Sequence, residues 1–429
     1  MAALKPILNK SYIYASYALA ASIPFTENIS TIVIALWVFF GLFHLQKPHN
    51  ILRDKVLRQQ LILPLYFCLT VIALIYTRDM NEGMAQLERK VSFVLIPLMV
   101  IFSSAVIRPH INQILRAFVV GVIGASVICV IMAFFNSISV GDEGIVFNAA
   151  VVLKDKSFWE SNSFGGNYFF HEQLSIFSHP SYFAIYICFS LFLLGRELLT
   201  EQKTVRGSML RIALLLYLVI FLFFLSARIS FIYLGFSLFL LMVIYFKRLA
   251  SWTKVALVFV VLVFALAILK FNYRIINVFS QDFKNTSLLE LSQKSNSFKR
   301  VVVWKLVHQN EEGIRIVGTG PGDVHNELNV LYEEAQLEEE LSGINAHNQF
   351  LESYLGLGFF GLMLLLAIFI PVFGWKLGFL HVHIQLLILT AIFFMLESAL
   401  ERNAFIVFIS FFHPLTVHYQ NSHIIKRKN

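Results

Sequence analysis

The chain has 429 residues, of which 58% are hydrophobic, 15% aromatic and only 14% charged, and its mean hydropathy is +0.72. A water-soluble globule cannot hide so much apolar surface, because the buried fraction rises only slowly with size, and disordered chains are poor in aromatics and rich in charge. The formal net charge of +8 is scattered between apolar runs, which argues against a nucleic-acid-binding face and leaves an integral membrane protein.

In chain order, the stretches without Asp, Glu, Lys or Arg that are candidates to cross a bilayer are Ser11–Thr26, Asn28–Gln46, Gln59–Thr77, Val91–Ile107, Ala117–Gly141 and Gln173–Gly195, then Ile212–Ala227, Ile229–Phe246, Val255–Leu269, Ser353–Trp375, Leu377–Leu396 and Asn403–Ile425. The first, seventh and ninth are short against the roughly 20 residues a spanning helix needs. Runs such as Thr31–Phe43 are apolar all round, whereas strands of a membrane barrel alternate, so twelve helices are expected. Seventh and eighth remain separate only if the chain breaks at Ser226-Ala227-Arg228, where no Gly or Pro marks a turn. With both termini cytoplasmic, basic residues gather on the inner side: Lys5 and Lys10, Lys47 to Arg58, Arg108 and Arg116, Arg196 to Arg211, Lys247 to Lys254, Lys376, and Lys426 to Lys428. This satisfies the positive-inside rule. Arg78, Arg89 and Lys90 stand on the other side as exceptions.

Two connections on the outer side are long enough to suggest function. One runs over 136–179. The other, 271–348, joins the ninth and tenth spans and contains an amphipathic stretch, Phe298–Gln309, and an acidic one, Glu327–Leu341. Glu333, Glu334, Glu338, Glu339 and Glu340 read as a solvated face. The expected organisation is helices one to six over 1–210, a core over 211–373, and the last two helices with a basic tail over 374–429. Cys68, Cys129 and Cys188 all fall within spans, so they cannot staple the outer loops. The first span lacks a small-residue cleavage pattern and is expected to be retained.

Ionisable groups at the ends of spans are functional candidates in such a chain. Arg228 lies between two apolar runs; it is either a snorkelling anchor or a planar fork for phosphate oxygens. Arg300, Trp304 and His308 share one face if Phe298–Gln309 is helical. That face either holds an anion and stacks a sugar or lies on the membrane interface. Gly318-Thr-Gly320-Pro-Gly322-Asp323 lacks the GK[ST] ending of a phosphate loop and reads as a tight turn. His347, before the tenth span, is either a proton acceptor or a packing residue. Glu397 and Glu401 are expected one helical turn apart, and Arg402 is placed to pair with either, as a structural ion pair or a further phosphate contact. His179-Pro180-Ser181-Tyr182 opens the sixth span, with Pro180 suited to a helix start. His171-Glu172 and His381-Val-His383 form no recognisable metal-ligand set, and there is no Ser-His-Asp signature. Arginines beside a histidine suit transfer from a diphosphate leaving group.

Ser226-Ala227-Arg228, Arg300 with Trp304, Gly318 to Gly322, and His347-Asn348-Gln-Phe-Leu-Glu352 followed by Gly358 and Gly361 together resemble the O-antigen ligase and O-antigen polymerase superfamily, over roughly Arg211–Phe373. His179-Pro-Ser-Tyr182 and Leu396 to Arg402 look like further elements of one branch. The junction at Arg228 departs from the pattern, which often has a second serine before the arginine and a glycine after it. The resemblance implies an all-α, GT-C-like polytopic protein of about twelve transmembrane helices with a large periplasmic loop, in the bacterial inner membrane. It implies a glycosyltransferase that passes a glycan from an undecaprenyl diphosphate carrier to a hydroxyl, without cofactor, metal or nucleic acid. The lipid A–core saccharide is the expected acceptor; a growing repeat-unit chain (a polymerase) or a protein Ser or Thr are the alternatives. By motif, His347 would be the general base and Arg228, Arg300 and Arg402 the diphosphate ligands. His179, Tyr182, Trp304, Gly318, Gly320, Asn348, Glu397 and Glu401 would support them. A twelve-helix secondary transporter is the rival class, but transporters show repeat symmetry and midplane polar residues, and neither is evident. A structural membrane scaffold is a third reading, against which the arginine and histidine clusters at span ends weigh.

Overall fold

The computed structural model describes residues 4–46, 54–141, 144–163, 165–200, 204–245, 287–294, 296–310, 315–370 and 381–428. The ninth expected span lies outside the described residues, as do the basic residues Lys47, Arg53, Lys203, Lys247, Arg248, Lys254 and Lys376. Each of the other expected spans contains helix. Among the described residues, five helices are long and apolar enough to cross a membrane: Glu27–His44, Ser104–Asn136, Pro180–Leu199, Val205–Leu225 and Gln349–Ala367. Ile62–Ala73, Arg228–Leu240 and Val382–Leu396 are shorter apolar helices. The protein is thus mostly helical and polytopic in character. The expectation of an all-α chain needs one correction: within 136–179, Ile138–Gly141 pairs antiparallel with Gly144–Phe147 as a two-stranded hairpin.

The chain forms two compact units. The smaller comprises Ile13–Trp37 and Asn112–Gln281. Its buried aromatic contacts join Phe118 to Tyr186 and Phe189, and Phe183 to Phe221. Gly121 meets the backbone of Ala21 where any Cβ would collide, the close approach that small residues permit between membrane helices. The break required between the seventh and eighth spans is present. Val205–Leu225 ends at Ser226, whose φ of 51° is left-handed, and the next helix begins at Arg228. The Ser226 N–H donates to Leu222 and Phe223 carbonyls, so serine closes the helix where glycine is usual.

The larger unit comprises Met1–Tyr12, Val38–Ile111 and Asp282–Asn429. Its helices include Ile62–Ala73, Ser92–Phe102, Gln349–Ala367, Val382–Leu396 and Asn403–Lys428, and Asn403–Lys428 packs on Ser92–Phe102. A separate core belongs to the long loop. Phe298, Val302, Val303, Leu306 and Val307 of the Asn296–Asn310 helix bury against Leu328 and Tyr332 of Val324–Glu334. That apolar stripe packs against protein. The acidic stretch is two helices, Val324–Glu334 and Glu338–Leu341. Gln336 at φ 58° separates them, and the Leu337 N–H donates to the Tyr332 carbonyl at 2.8 Å, a Schellman-type closure. Glu333, Glu334, Glu338 and Glu339 are exposed.

Candidate active site

The segment before the Gln349–Ala367 helix is fixed from several sides. Asn348 caps the helix: its side chain accepts from the Phe350 and Leu351 N–H groups, satisfying donors that a helix start leaves orphaned. His347, with φ 46°, occupies a left-handed conformation that costs a non-glycine residue about 1–2 kcal/mol. Its neighbours hold it there. The His347 N–H donates to Asn345 Oδ1 at 3.1 Å, the Ala346 carbonyl accepts from Trp304 Nε1 at 2.7 Å, and the Ala346 N–H donates to Glu352 Oε2 at 3.3 Å.

Glu397 meets this segment from the end of the Val382–Leu396 helix. Glu397 is extended, at φ −145° and ψ 148°, and a short 3-10 turn, Ala399–Glu401, follows. This corrects the expectation that Glu397 and Glu401 lie one helical turn apart. Extension sends the Glu397 carboxylate to His347 Nδ1 at 3.1 Å and to Arg300 Nη2 at 3.0 Å. Arg300 Nη1 also donates to the Leu396 carbonyl at 2.6 Å, so a cation caps the negative end of that helix. Burial alone raises the Glu397 pKa. The hydrogen bond with His347 and the Arg300 charge outweigh it and hold the carboxyl at about 2, well below the ordinary carboxylate range.

The ion pairs at Leu396 to Arg402 differ from expectation in their partners. Arg300, and not Arg402, pairs with Glu397. Glu401 lies 3.9 Å from Lys90 and accepts from Gln86; Gln86 also accepts from Lys90. Lys90 is fully enclosed: burial lowers its pKa most, partly offset by Glu401. Glu352 is buried and accepts from Ser398 Oγ at 3.0 Å. Gln349 Oε1 takes the Leu400 N–H at 2.6 Å. Arg402 is exposed.

These groups line a cavity of about 480 Å³, whose walls include Glu82, Gln86, Arg89, Lys90, Asn326, Asn345, Gln349, Glu352, Glu401 and Arg402. His347 and Arg300 are not on that wall, but Asn345 and Gln349, on either side of His347, are. The glycine run shapes one flank. Thr319 and Gly320 N–H groups donate to the Leu355 and Gly356 carbonyls at 2.8 and 3.0 Å, and the Phe359 N–H donates to the Arg315 carbonyl at 2.9 Å. The Gln349–Ala367 helix is interrupted there, at Gly358 with φ 67°. Gly318 passes so close to the Gly356 backbone that a Cβ would clash, and Gly320 has φ +111°. The run then closes a turn, Asp323 N–H to Gly320 carbonyl at 3.3 Å. Asp323 accepts from the Arg78 and Asp79 N–H groups at 2.7 and 2.9 Å, tying the run to the Met80–Lys90 helix.

Within the larger unit the structure therefore brings together His347, Asn348, Arg300, Trp304 and Glu397 around one dyad, and Glu401, Arg402 and the glycine run around the cavity. Trp304 spends its indole N–H on Ala346, and His308 is exposed. His179, Tyr182 and Arg228 belong to the smaller unit. There the His179 ring accepts from the Ser181 N–H at 3.3 Å as Pro180–Thr200 begins, and stacks edgewise on Tyr182 with centroids 6.2 Å apart. Arg228 starts its helix, half-buried. Sequence reasoning did not assign Gln86, Arg89, Lys90, Gln349 and Glu352. The signal for two of them was present: Arg89 and Lys90 were exceptions to the expected charge asymmetry.

Residues 213–366 match the family model described as O-antigen ligase, which supports the O-antigen ligase and polymerase superfamily as this chain's kin. The matched segment contains Arg228, Arg300, Trp304, the glycine run, His347, Asn348 and Glu352, and stops short of Glu397, Glu401 and Arg402. No curated protein matches the chain.

Proposed function

We propose that this chain is an inner-membrane glycosyltransferase of the O-antigen ligase type, with its site on the periplasmic face, moving a glycan from undecaprenyl diphosphate to a hydroxyl of the lipid A–core saccharide. The observation that carries the reading is the Arg300–Glu397–His347 chain of contacts, at 3.0 and 3.1 Å, of which Arg300 and His347 lie within the segment that matches the family. With Nδ1–H donated to an ionised Glu397, the His347 ring keeps its Nε2 lone pair for a proton, the carboxylate–imidazole logic of general-base catalysis. The acceptor oxygen bonds to the anomeric carbon as the bond from that carbon to the diphosphate oxygen breaks. The hydroxyl proton passes to His347, the electron pair leaves with the diphosphate, and the anomeric centre inverts.

Arg228, Arg300 and Arg402 are the proposed cations for the diphosphate. Arg300 already spends two nitrogens on Leu396 and Glu397. Its contribution is then to hold Glu397 and to supply charge, and a direct phosphate contact falls to the N–H groups those two bonds leave over, Nε among them. Arg402, exposed on the cavity wall, is better placed to meet a ligand. Arg228 enters on the resemblance alone.

A chromosomal deletion followed by gel analysis of surface glycans tests the acceptor. Loss of polymer from lipid A–core, with lipid-linked chains accumulating, is the expected result. Single-repeat products would make the chain a polymerase, and an unchanged lipopolysaccharide pattern would overturn the ligase assignment in favour of a protein acceptor.

A further inference from the structure

The apolar run Ala117–Gly141 outlasts its helix. The helix ends at Asn136, and the end of the run, Ile138–Gly141, is a strand that pairs with Gly144–Phe147. Alternate side chains on a strand share a face, and directly paired residues share it across the ribbon. The register pairs Ile138 with Phe147 and Val140 with Ile145, so these four apolar side chains form one face while Ser139 and Val146 stand on the other. Val140 is 82%, Ile145 77% and Phe147 51% exposed. A contiguous exposed apolar face of this kind marks an interaction surface.

Level, continuity and anchoring identify its partner as lipid. At the opposite end of the helix, Arg116 binds Glu197 at 2.7 Å, and Arg211 binds the same carboxylate at 3.0 Å. From Ala117 to Asn136 the helix rises about 30 Å, the thickness of the hydrocarbon. With the ion cluster at one boundary of the bilayer, the hairpin starts at the other. The Phe147 ring lies 5.8 Å from that of Phe134, and Ile131, Phe134 and Phe135 are exposed on the helix itself. The apolar face thus continues the surface that the span presents to lipid. Phe147 also packs on Phe169, and ring contacts run on through Phe158 and Phe170 to Phe224, at the end of Val205–Leu225. Aromatic rings, the type that gathers at membrane boundaries, therefore fix the hairpin to the ends of two apolar helices.

We propose that this hairpin is a membrane-surface foot, its Ile138–Val140–Ile145–Phe147 face inserted shallowly among the acyl chains of bilayer phospholipid at the Asn136 end of the span. Two features limit the depth. A two-stranded ribbon has two edges whose backbone groups need water or a polar partner, and hydrocarbon provides neither. The sequence between the strands is Asp142-Glu143, two carboxylates that hydrocarbon excludes. The face therefore reaches the boundary between head groups and acyl chains and goes no further. The proposal needs the membrane reading of the Ser104–Asn136 helix and is independent of the transferase assignment.

The test is spin-label accessibility on the full chain in phosphatidylcholine vesicles, with Cys68, Cys129 and Cys188 replaced by alanine. Nitroxides are attached in Val140→Cys and Ile145→Cys on the apolar face and in Ser139→Cys on the other. Ile131→Cys on the span and Ser342→Cys, at an exposed position outside the spans, are the lipid and water references. Each label's collision rate is measured with oxygen, which concentrates in hydrocarbon, and with a neutral nickel chelate, which stays in water. At 140 and 145 the ratio of oxygen to nickel collisions should exceed that at 342 by at least about threefold and stay below that at 131, as shallow insertion requires. The ratio at 139 should be close to that at 342. Nickel access at 140 and 145 equal to that at 342 would leave the face in water and overturn the proposal. Protection from both reagents would overturn it in favour of a protein cover, such as a second copy of the chain. The otherwise unaltered protein gives a second readout, with p-benzoylphenylalanine in place of Ile145. Phospholipid adducts on irradiation support the foot, and adducts to protein alone overturn it.

Discussion

Glu397 is the residue on which the site turns. It takes a hydrogen bond from a histidine and an ion pair from an arginine while only 13% exposed, and these partners outweigh the burial that opposes its ionisation. Its folded pKa of about 2 lies below the unfolded carboxylate value of about 4.3. The associated stabilisation, about 3 kcal/mol, is fully present above roughly pH 4.5 and is lost as pH falls through 2. The melting temperature of Glu397→Gln should therefore sit below that of the parent at pH 5 and above, and the gap should close below pH 4.5. A gap unchanged at pH 2.5 would remove the ion pair as its cause. Arg300→Lys should lower turnover at least tenfold, since an ammonium cannot serve Leu396 and Glu397 as a planar fork does; unaltered kinetics would show that the geometry is dispensable. The sequence made Glu397 and Arg300 visible as candidates but not as partners. Their pairing across 97 positions follows from tertiary packing, and the extended conformation at Glu397 has no local sequence mark.

Elements place these residues through two interruptions. The helix beginning at Gln349 breaks at Gly358, where a Cβ would run into the Ile316 backbone and where φ 67° is itself costly for an L side chain. Gly358→Ala should therefore destabilise the protein by at least about 1–2 kcal/mol, measured as a fall in melting temperature. Equal stability would mean that the glycine strand over 315–320 does not dock there. The second interruption, at Ser226, has the opposite sign: Ser226→Gly should raise stability by about 1 kcal/mol, because φ 51° strains serine. Apolar periodicity sufficed to read the Asn296–Asn310 helix and its Arg300–Trp304 face. It could not reveal that the glycine run pairs with an open helix, because the matching groups are backbone atoms and leave no periodic trace.

At the scale of the whole molecule, hydropathy made the membrane character and the helical content legible, and charge asymmetry supplies the proposed orientation. The cavity was invisible to that reasoning because its wall is assembled from segments as distant as Glu82 and Arg402. Arg89 and Lys90, exceptions to the charge rule in the proposed orientation, are paired within the protein by Glu82, Gln86 and Glu401. The proposed orientation puts Ser342 outside and Arg206 inside, both at exposed positions. In a cysteine-free background, Ser342→Cys should react with an impermeant maleimide in cells whose outer membrane is permeabilised. Arg206→Cys should react only after the inner membrane is opened; the reverse pattern would invert the topology.

The most direct measurement is single-turnover consumption of undecaprenyl-diphosphate-linked glycan by the purified, reconstituted chain in the presence of lipid A–core. The parent protein should release undecaprenyl diphosphate in step with acceptor glycosylation, and His347→Ala, still folded and membrane-inserted, should be slower by at least about 100-fold. Parental rates from His347→Ala would contradict the assignment of His347 as the base.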